Sequence, residues 1–185
     1  MTKFFYLLTT TLVSVFLLFA CNSADDGNQI EDLEQKLTEM SKASPDPNKT
    51  RELMGELAMA YEAAVEKVED KSQQGEFLYK AAENYEVTSQ FDKAVSLYQR
   101  IANDYAGHKR ESDALFKQGF IYNNKLGDTL SARKAYETFI TKFPQDELVK
   151  DAQWEIDHFG KSEDEILDEL LRNQQGEAGE TESKL

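Results

Sequence analysis

The sequence is poor in the side chains that build covalent cross-links and metal sites. It has one cysteine and two histidines in 185 residues. A single cysteine excludes a disulfide within the chain. His108 and His158 lie 50 residues apart, and no carboxylates are spaced to complete a zinc site with them. We therefore predict no metal ion and no cofactor.

Positive charge is also scarce. The chain has 21 Lys and Arg residues against 35 Asp and Glu residues, which gives a net charge of −14. A surface that binds nucleic acid needs a basic patch, and so does a surface that binds anionic lipid headgroups through charge. The composition argues against both, and it predicts an acidic surface that keeps the protein dispersed in water.

Catalytic motifs are missing as well. The sequence has no P-loop, no GxGxxG, no HExxH and no local motif that places a serine nucleophile. Adjacent carboxylates occur at 146–147 and 163–165, where we predict that helices begin. Negative charge at these positions complements the helix dipole, so a structural role accounts for them. We predict that the protein is not an enzyme.

The only long apolar run lies at the start of the chain. It extends from Phe4 to Phe19 after a basic residue, Lys3. This run is short for a transmembrane helix, which needs about 20 residues, and no basic stop signal follows it. It ends directly before Cys21, so lipid attachment explains the lone cysteine better than a buried thiol does.

The segment Leu18-Phe19-Ala20-Cys21 resembles the cleavage box of bacterial lipoproteins. The resemblance implies a signal peptide at 1–20, cleavage before Cys21, and acylation of the cysteine thiol and amine. It also implies an outer-membrane address, since Asn22 is not the aspartate that retains some lipoproteins at the inner membrane. Polar residues follow, and we predict a lipidated flexible tether at 21–29.

The stretch from Ser112 to Pro144 has the clearest pattern in the chain. Its apolar residues step by three and four on both sides of a Gly127-Asp128 turn, which predicts a helical hairpin. Gly127 suits the left-handed end of the first helix, and Asp128 suits the cap of the second. Gly119 and Ala132 are predicted to lie where the two arms cross, because small side chains allow a close approach.

The hairpin recurs along the chain. Tyr85 precedes Tyr122 by 37 residues, and Tyr98 precedes Tyr136 by 38. A period of this size with helix-turn-helix content is typical of a helical repeat array. The pattern from about Gly75 to Gly160 resembles tetratricopeptide repeats. The resemblance implies an all-α fold: a short, right-handed array of antiparallel helix pairs.

The remaining segments complete a predicted helical domain at 30–174. A 3-4-3 apolar pattern between Ile30 and Met40 indicates a helix that packs on the next one or begins a coiled coil. Asp46 and Pro47 predict a helix start, with an end near Glu69 and a break at 71–75. Ser162 and Glu165 have the spacing of a capping box before a final amphipathic helix that would cap the array. We predict a disordered tail at 175–185.

Aromatic residues recur at one position of three successive first helices. In tetratricopeptide repeats this position points into the concave groove, and residues four further along lie on the same face. The residues predicted to form a partner-binding groove are Tyr79, Glu83, Phe116, Phe120, Asn123, Asn124, Trp154 and His158. Such a groove suits an extended peptide or a partner helix. The alternative is that the aromatic residues pack between helices as core.

The two resemblances together imply a function. They are shared by outer-membrane lipoproteins with tetratricopeptide repeats, which include barrel-assembly lipoproteins of the BamD type and the repeat domains of Tol-Pal-associated proteins. We expect a non-catalytic, lipid-anchored scaffold that binds another cell-envelope protein or peptide, in outer-membrane assembly or maintenance. It would face the periplasm or the cell surface. The alternatives are a surface lipoprotein that assists nutrient uptake and an envelope enzyme of unknown type.

Overall fold

A computed structural model describes residues 28–42, 46–162 and 164–172. All regular structure in these residues is helical. The helices are α1 (28–42), α2 (Pro47–Val65), α3 (Lys71–Val87), α4 (Phe91–Asp104), α5 (Glu111–Ile121), α6 (Thr129–Lys142), α7 (Val149–His158) and α8 (164–172). The predicted all-α class is therefore confirmed. The proposed signal peptide, Cys21 and the tail from 175 lie outside the described residues, as does nearly all of the tether.

Each helix from α2 to α6 packs on the next one along the chain. One apolar cluster joins α1 to α4 and reaches α5 through Ala114 and Ile121. A second cluster joins α4 to α7 and includes Leu115, Tyr136 and Phe139. Because α4 and α5 contribute to both clusters, these two helices connect the halves of the array. This nearest-neighbour packing is the architecture expected of a helical repeat array.

The start of α2 was correctly predicted, but its end was not. The Asp46 carboxylate accepts a hydrogen bond from the backbone N–H of Asn48 at 2.9 Å, and Pro47 occupies the first turn. The helix ends at Val65 and not near Glu69. The reason is that Asp70 has an extended backbone and caps α3, so the residues before it form the connection between the helices.

The predicted break at 71–75 is wrong, since α3 begins at Lys71 and contains Gly75 in its second turn. A Cβ atom on Gly75 would lie 2.8 Å from the His108 ring. Glycine is needed there for the approach of the α4–α5 loop and does not end a helix. Phe91 is the first residue of α4.

The turn between α5 and α6 has the predicted chemistry and one unpredicted feature. Gly127 has φ of 68°, in the left-handed region, and the Asp128 carboxylate accepts from the backbone N–H of Ser131 at 3.0 Å. Before this turn α5 widens into a π-helical segment, Tyr122–Leu126. The backbone N–H of Asp128 closes it by donating to the carbonyl of Tyr122 at 2.8 Å.

Gly119 lies against α6 within this hairpin. A Cβ atom on Gly119 would lie 2.7 Å from the ring of Tyr136. Ala132, the predicted partner of Gly119, is fully buried on α6, four residues before Tyr136. The missing side chain of Gly119 thus makes room for the large ring of Tyr136, and the crossing of the two arms at Ala132 stays a prediction.

Three tyrosine hydroxyls join neighbouring helices by donating to carboxylates. Tyr85 donates to Glu62 at 2.8 Å, and Tyr61 and Tyr98 donate to Glu34 and Glu86. Burial and the bond to Glu34 raise the pKa of Tyr61 to about 12. The corresponding tyrosine of the next pair, Tyr136, is fully buried, and its hydroxyl has no partner among the described residues.

The two ends of the array are covered to different extents. In α1, Ile30 and Leu33 are buried in the first cluster, so this helix packs on the array as predicted. At the other end the predicted capping box is present, since the backbone N–H of Ser162 donates to Glu165 at 2.8 Å. However, the three leucines of α8, at 167, 170 and 171, are 45–54% exposed. The final helix forms but leaves much of its apolar face open to solvent.

No helix within the described residues is long and apolar enough to cross a membrane.

A candidate partner-binding groove

A cavity of about 400 Å³ lies along the face of α5 that looks toward α3. Three of the residues predicted for the groove line it, namely Tyr79, Phe116 and Phe120. The other lining residues, which the sequence analysis missed, are Glu86, Asp113, Lys117 and Leu148. Asp113 lies three residues before Phe116, and Lys117 lies three residues before Phe120, so helical spacing would have found both. Leu148 comes from the loop before α7, where no periodicity applies.

Tyr79 forms a wall of this groove and is largely inaccessible, with 4% of its surface exposed. Its ring packs edge-on against Tyr98, with centroids 5.6 Å apart. The Arg110 guanidinium lies 4.5 Å from the Tyr79 ring centroid on another side. Arg110 also pairs with Glu76 at 2.9 Å, and these hydrogen bonds lower the pKa of Glu76 to about 2. Tyr79 is therefore held in place by Tyr98 of α4 and by Arg110, both of which follow it in the chain.

Phe116 belongs to both the core and the groove. Its ring packs edge-on against Tyr136 and Phe139, with centroid distances of 5.5 and 5.7 Å. It is only partly buried, and it also lines the cavity. Phe116 thus fits both interpretations of the aromatic residues, because it packs in the core and also lines the groove.

Phe120 and Trp154 are the exposed aromatic residues of the predicted set. Their side chains are 39% and 46% exposed. Trp154 stacks on His158 with ring centroids 4.3 Å apart, and the His158 Nδ1 lies 2.6 Å from the Trp154 carbonyl. Two large apolar side chains on successive first helices supply the kind of surface that partner proteins bury.

Charged groups border the groove on the α3 side. Lys117 donates to Glu86 at 3.0 Å and lies 4.0 Å from Glu83. Glu86 also accepts from the Tyr98 hydroxyl, so this carboxylate is held by two donors. Burial raises the pKa of Glu83. This edge of the groove holds two carboxylates, Glu83 and Glu86, and one cation, Lys117. Its excess of negative charge favours a partner that supplies hydrogen-bond donors.

The two asparagines of the predicted set lie in the π-helical turn, beyond the cavity. Asn123 donates to Glu155 of α7 at 2.9 Å, and Asn124 donates to the Phe120 carbonyl at 3.2 Å. Asn124 is exposed at the end of the groove. Asn123 instead positions α7, and with it Trp154, relative to α5.

The groove holds no arrangement that suggests catalysis. Throughout the part of the chain that the structure describes, no three His, Cys, Asp or Glu side chains are grouped so that they could hold a metal ion. Among the charged groups of the groove, Glu86 and Lys117 pair with one another.

Comparison with protein families gives one match, described as a tetratricopeptide repeat, at residues 76–108 and again at 113–146. The first region covers α3 and α4, and the second covers α5 and α6. Comparison with curated proteins and with solved structures gives no match. Repeats of this family generally mediate protein–protein interaction, and no catalytic family is indicated. The helix pairs α3–α4 and α5–α6 are therefore the part of the chain that is similar to tetratricopeptide repeats.

Proposed function

We propose that the protein is a non-catalytic, lipid-anchored scaffold that uses the groove on α3, α5 and α7 to bind another cell-envelope protein or peptide. The observation that carries the proposal is the cavity of about 400 Å³ with the exposed ring of Phe120 in its lining. Trp154, on the next first helix, adds a second exposed aromatic side chain. Buried aromatic residues are common among the few side chains that dominate binding energy. The open length of the groove suits an extended segment or a helix.

Phe120→Ala is expected to weaken partner binding by about 1–3 kcal/mol, because it removes an exposed aromatic anchor and leaves the core intact. The partner is obtained by affinity capture from detergent-solubilised membranes with a tag at the C-terminus. Its affinity for each purified variant is then measured by titration calorimetry. The free energy of unfolding should change little, since Phe120 is 39% exposed.

Leu130→Ala is the matched control for Phe120→Ala. Leu130 is a large apolar residue on α6 that is 81% exposed and does not line the groove. It should leave the affinity unchanged. Equal affinities for wild type, Phe120→Ala and a Trp154→Ala variant would refute the groove as the binding surface.

The membrane attachment is the second part of the proposal and rests on the apolar run that ends at Cys21. Mass spectrometry of the mature protein should find residues 1–20 missing and acyl mass on Cys21. Two or more acyl chains give a stable anchor, whereas one gives only marginal binding. Cys21→Ser should abolish processing and leave helix content unchanged. An unmodified cysteine in a water-soluble fraction of the producing cell would refute the anchor.

A further inference from the structure

The Tyr79 hydroxyl lies in the wall of the groove without a hydrogen-bond partner among the described residues. The side chain is only 4% exposed, and it lines the cavity of about 400 Å³. Unlike the Tyr136 hydroxyl, which is unpaired and closed off from water, the Tyr79 hydroxyl is accessible. Polar groups in such nearly closed positions are almost always hydrogen-bonded in folded proteins. The Tyr79 hydroxyl is therefore free to bond a group that a bound molecule supplies.

Two carboxylates near this hydroxyl also lack hydrogen bonds. Neither Glu83 of α3 nor Asp113 of α5 accepts one from any residue that the structure describes. Lys117 is 4.0 Å from Glu83, and the distance from Asp113 to Arg110 is 3.6 Å, so both ion pairs exceed hydrogen-bond length. Burial raises the pKa of Glu83, since this carboxylate loses water without gaining donors. Burial, and then the charges of Glu83 and Asp113, raise the pKa of Tyr79, so both carboxylates lie near its ring.

The cations beside the groove are bound by other carboxylates. Arg110 contacts Glu76 at 2.9 and 3.3 Å, and Lys109 pairs with the same carboxylate at 2.9 Å. Lys117 donates to Glu86 at 3.0 Å. These three cations are therefore neutralised in large part. The two carboxylates without hydrogen bonds leave an excess of negative charge beside the hydroxyl, in a chain whose net charge is −14.

We propose that the groove binds its partner through a basic side chain, which donates to the Tyr79 hydroxyl and is held by the charges of Glu83 and Asp113. This inference rests on the proposed function and names the chemistry of the partner. Ionised carboxylates only accept hydrogen bonds, so a donor complements them, and a positive charge strengthens the bond. The rings of Phe116 and Phe120 line the same cavity, so a large apolar residue beside the basic one completes the match.

The probes are blocked five-residue peptides with glycine at both ends and leucine, a variable residue and phenylalanine between them. The variable residue is arginine, lysine, citrulline or glutamate, and citrulline has nearly the shape of arginine without its charge. Apolar residues on both sides make the test independent of chain direction. Titration calorimetry with the purified full chain measures each affinity.

The arginine or the lysine peptide should bind about tenfold more tightly than the citrulline peptide, because hydrogen bonds between charged groups are the stronger ones. The glutamate peptide should bind more weakly than the citrulline peptide, since it adds a like charge. Added salt should reduce these differences by screening the charges. The tighter of the two basic peptides identifies the side chain that the site prefers.

Three variants remove the acceptors one at a time, namely Glu83→Gln, Asp113→Asn and Tyr79→Phe. Each should weaken binding of the tighter basic peptide about threefold or more. The first two should leave the citrulline peptide nearly unaffected, because they remove charge and keep shape. Tyr79→Phe should unfold at the same urea concentration as wild type, since its hydroxyl has no partner to lose. Glu137→Gln, an equal charge change on a 60% exposed side chain of α6, is the matched control and should bind as wild type does.

Equal affinities for the basic and citrulline peptides, with Phe120→Ala weakening both, would overturn the basic site and leave the groove standing as a binding surface. Binding of a basic peptide that Glu83→Gln, Asp113→Asn and Tyr79→Phe all leave unchanged would also overturn it, because the cation then lies elsewhere on the acidic surface. A lack of binding by every probe peptide overturns the basic site too. The groove itself is then decided separately, by Phe120→Ala and the captured partner.

Discussion

Gly119→Ala is expected to destabilise the protein by about 1–2 kcal/mol, although alanine is the better helix former by about 1 kcal/mol. The added methyl group would lie 2.7 Å from the ring of Tyr136, which is fully buried and has no free direction in which to move. Overpacking of this kind costs about 1–3 kcal/mol and outweighs the helix-propensity gain. Urea unfolding followed by far-UV circular dichroism measures the change.

Gly55→Ala is the matched control, because Gly55 is also within a helix but has open space. The nearest atom to its added Cβ would be Thr88 Cγ2 at 3.9 Å, an ordinary contact. This variant should be stabilised by about 1 kcal/mol. Opposite changes in the free energy of unfolding for the two variants would separate the effect of packing from the effect of helix propensity. Stabilisation by both would show that Tyr136 moves freely and that the ring does not fill the space beside Gly119.

Tyr98→Phe is expected to cost about 1.5–3 kcal/mol, the usual contribution of a hydrogen bond to a charged group. The Tyr98 hydroxyl is buried and donates to the Glu86 carboxylate, which the neighbouring Lys117 also contacts at 3.0 Å. Removal of the hydroxyl leaves this carboxylate with one donor fewer at the joint between α3 and α4. Equilibrium unfolding in urea measures the loss.

Tyr136→Phe removes the same atom from the corresponding tyrosine of the second repeat. Its hydroxyl is buried and has no partner in the described part of the chain. Removing an unpaired buried polar group is neutral or stabilising, so this variant should unfold at the same urea concentration as wild type or a higher one. Equal losses in the two variants would mean that the bond to Glu86 contributes nothing specific.

Local chemistry was the part of the fold that the sequence predicted well. Gly127, Asp128 and the Ser162–Glu165 capping box act through their own neighbours, so their spacing is enough to place helix ends. The break predicted at 71–75 was wrong because the role of Gly75 depends on His108, 33 residues later. The ring of His108 occupies the space beside Gly75. No local pattern distinguishes a glycine that ends a helix from one that admits a distant ring.

The candidate groove was predicted in outline for a similar reason. Helical spacing identifies which residues of α5 share a face, and Phe116 and Phe120 line one cavity together with Tyr79. Helical spacing does not predict how deeply each side chain is buried, because burial depends on the other helices. Tyr79 is buried by its contacts with Tyr98 and Arg110, whereas Phe120 and Trp154 are 39% and 46% exposed.

The distribution of aromatic side chains decides what each optical signal of this protein reports. Trp154 is the only tryptophan and is already 46% exposed in the folded state, so its emission should change little on unfolding. Tyr61, Tyr85, Tyr98 and Tyr136 are almost fully buried, and tyrosine absorbance therefore follows the packing of the core. Tryptophan absorbs at longer wavelengths than tyrosine does, so its emission can be excited selectively. Tyrosine signals thus report whether the array is folded, and tryptophan emission reports separately whether the end of the groove near α7 is occupied.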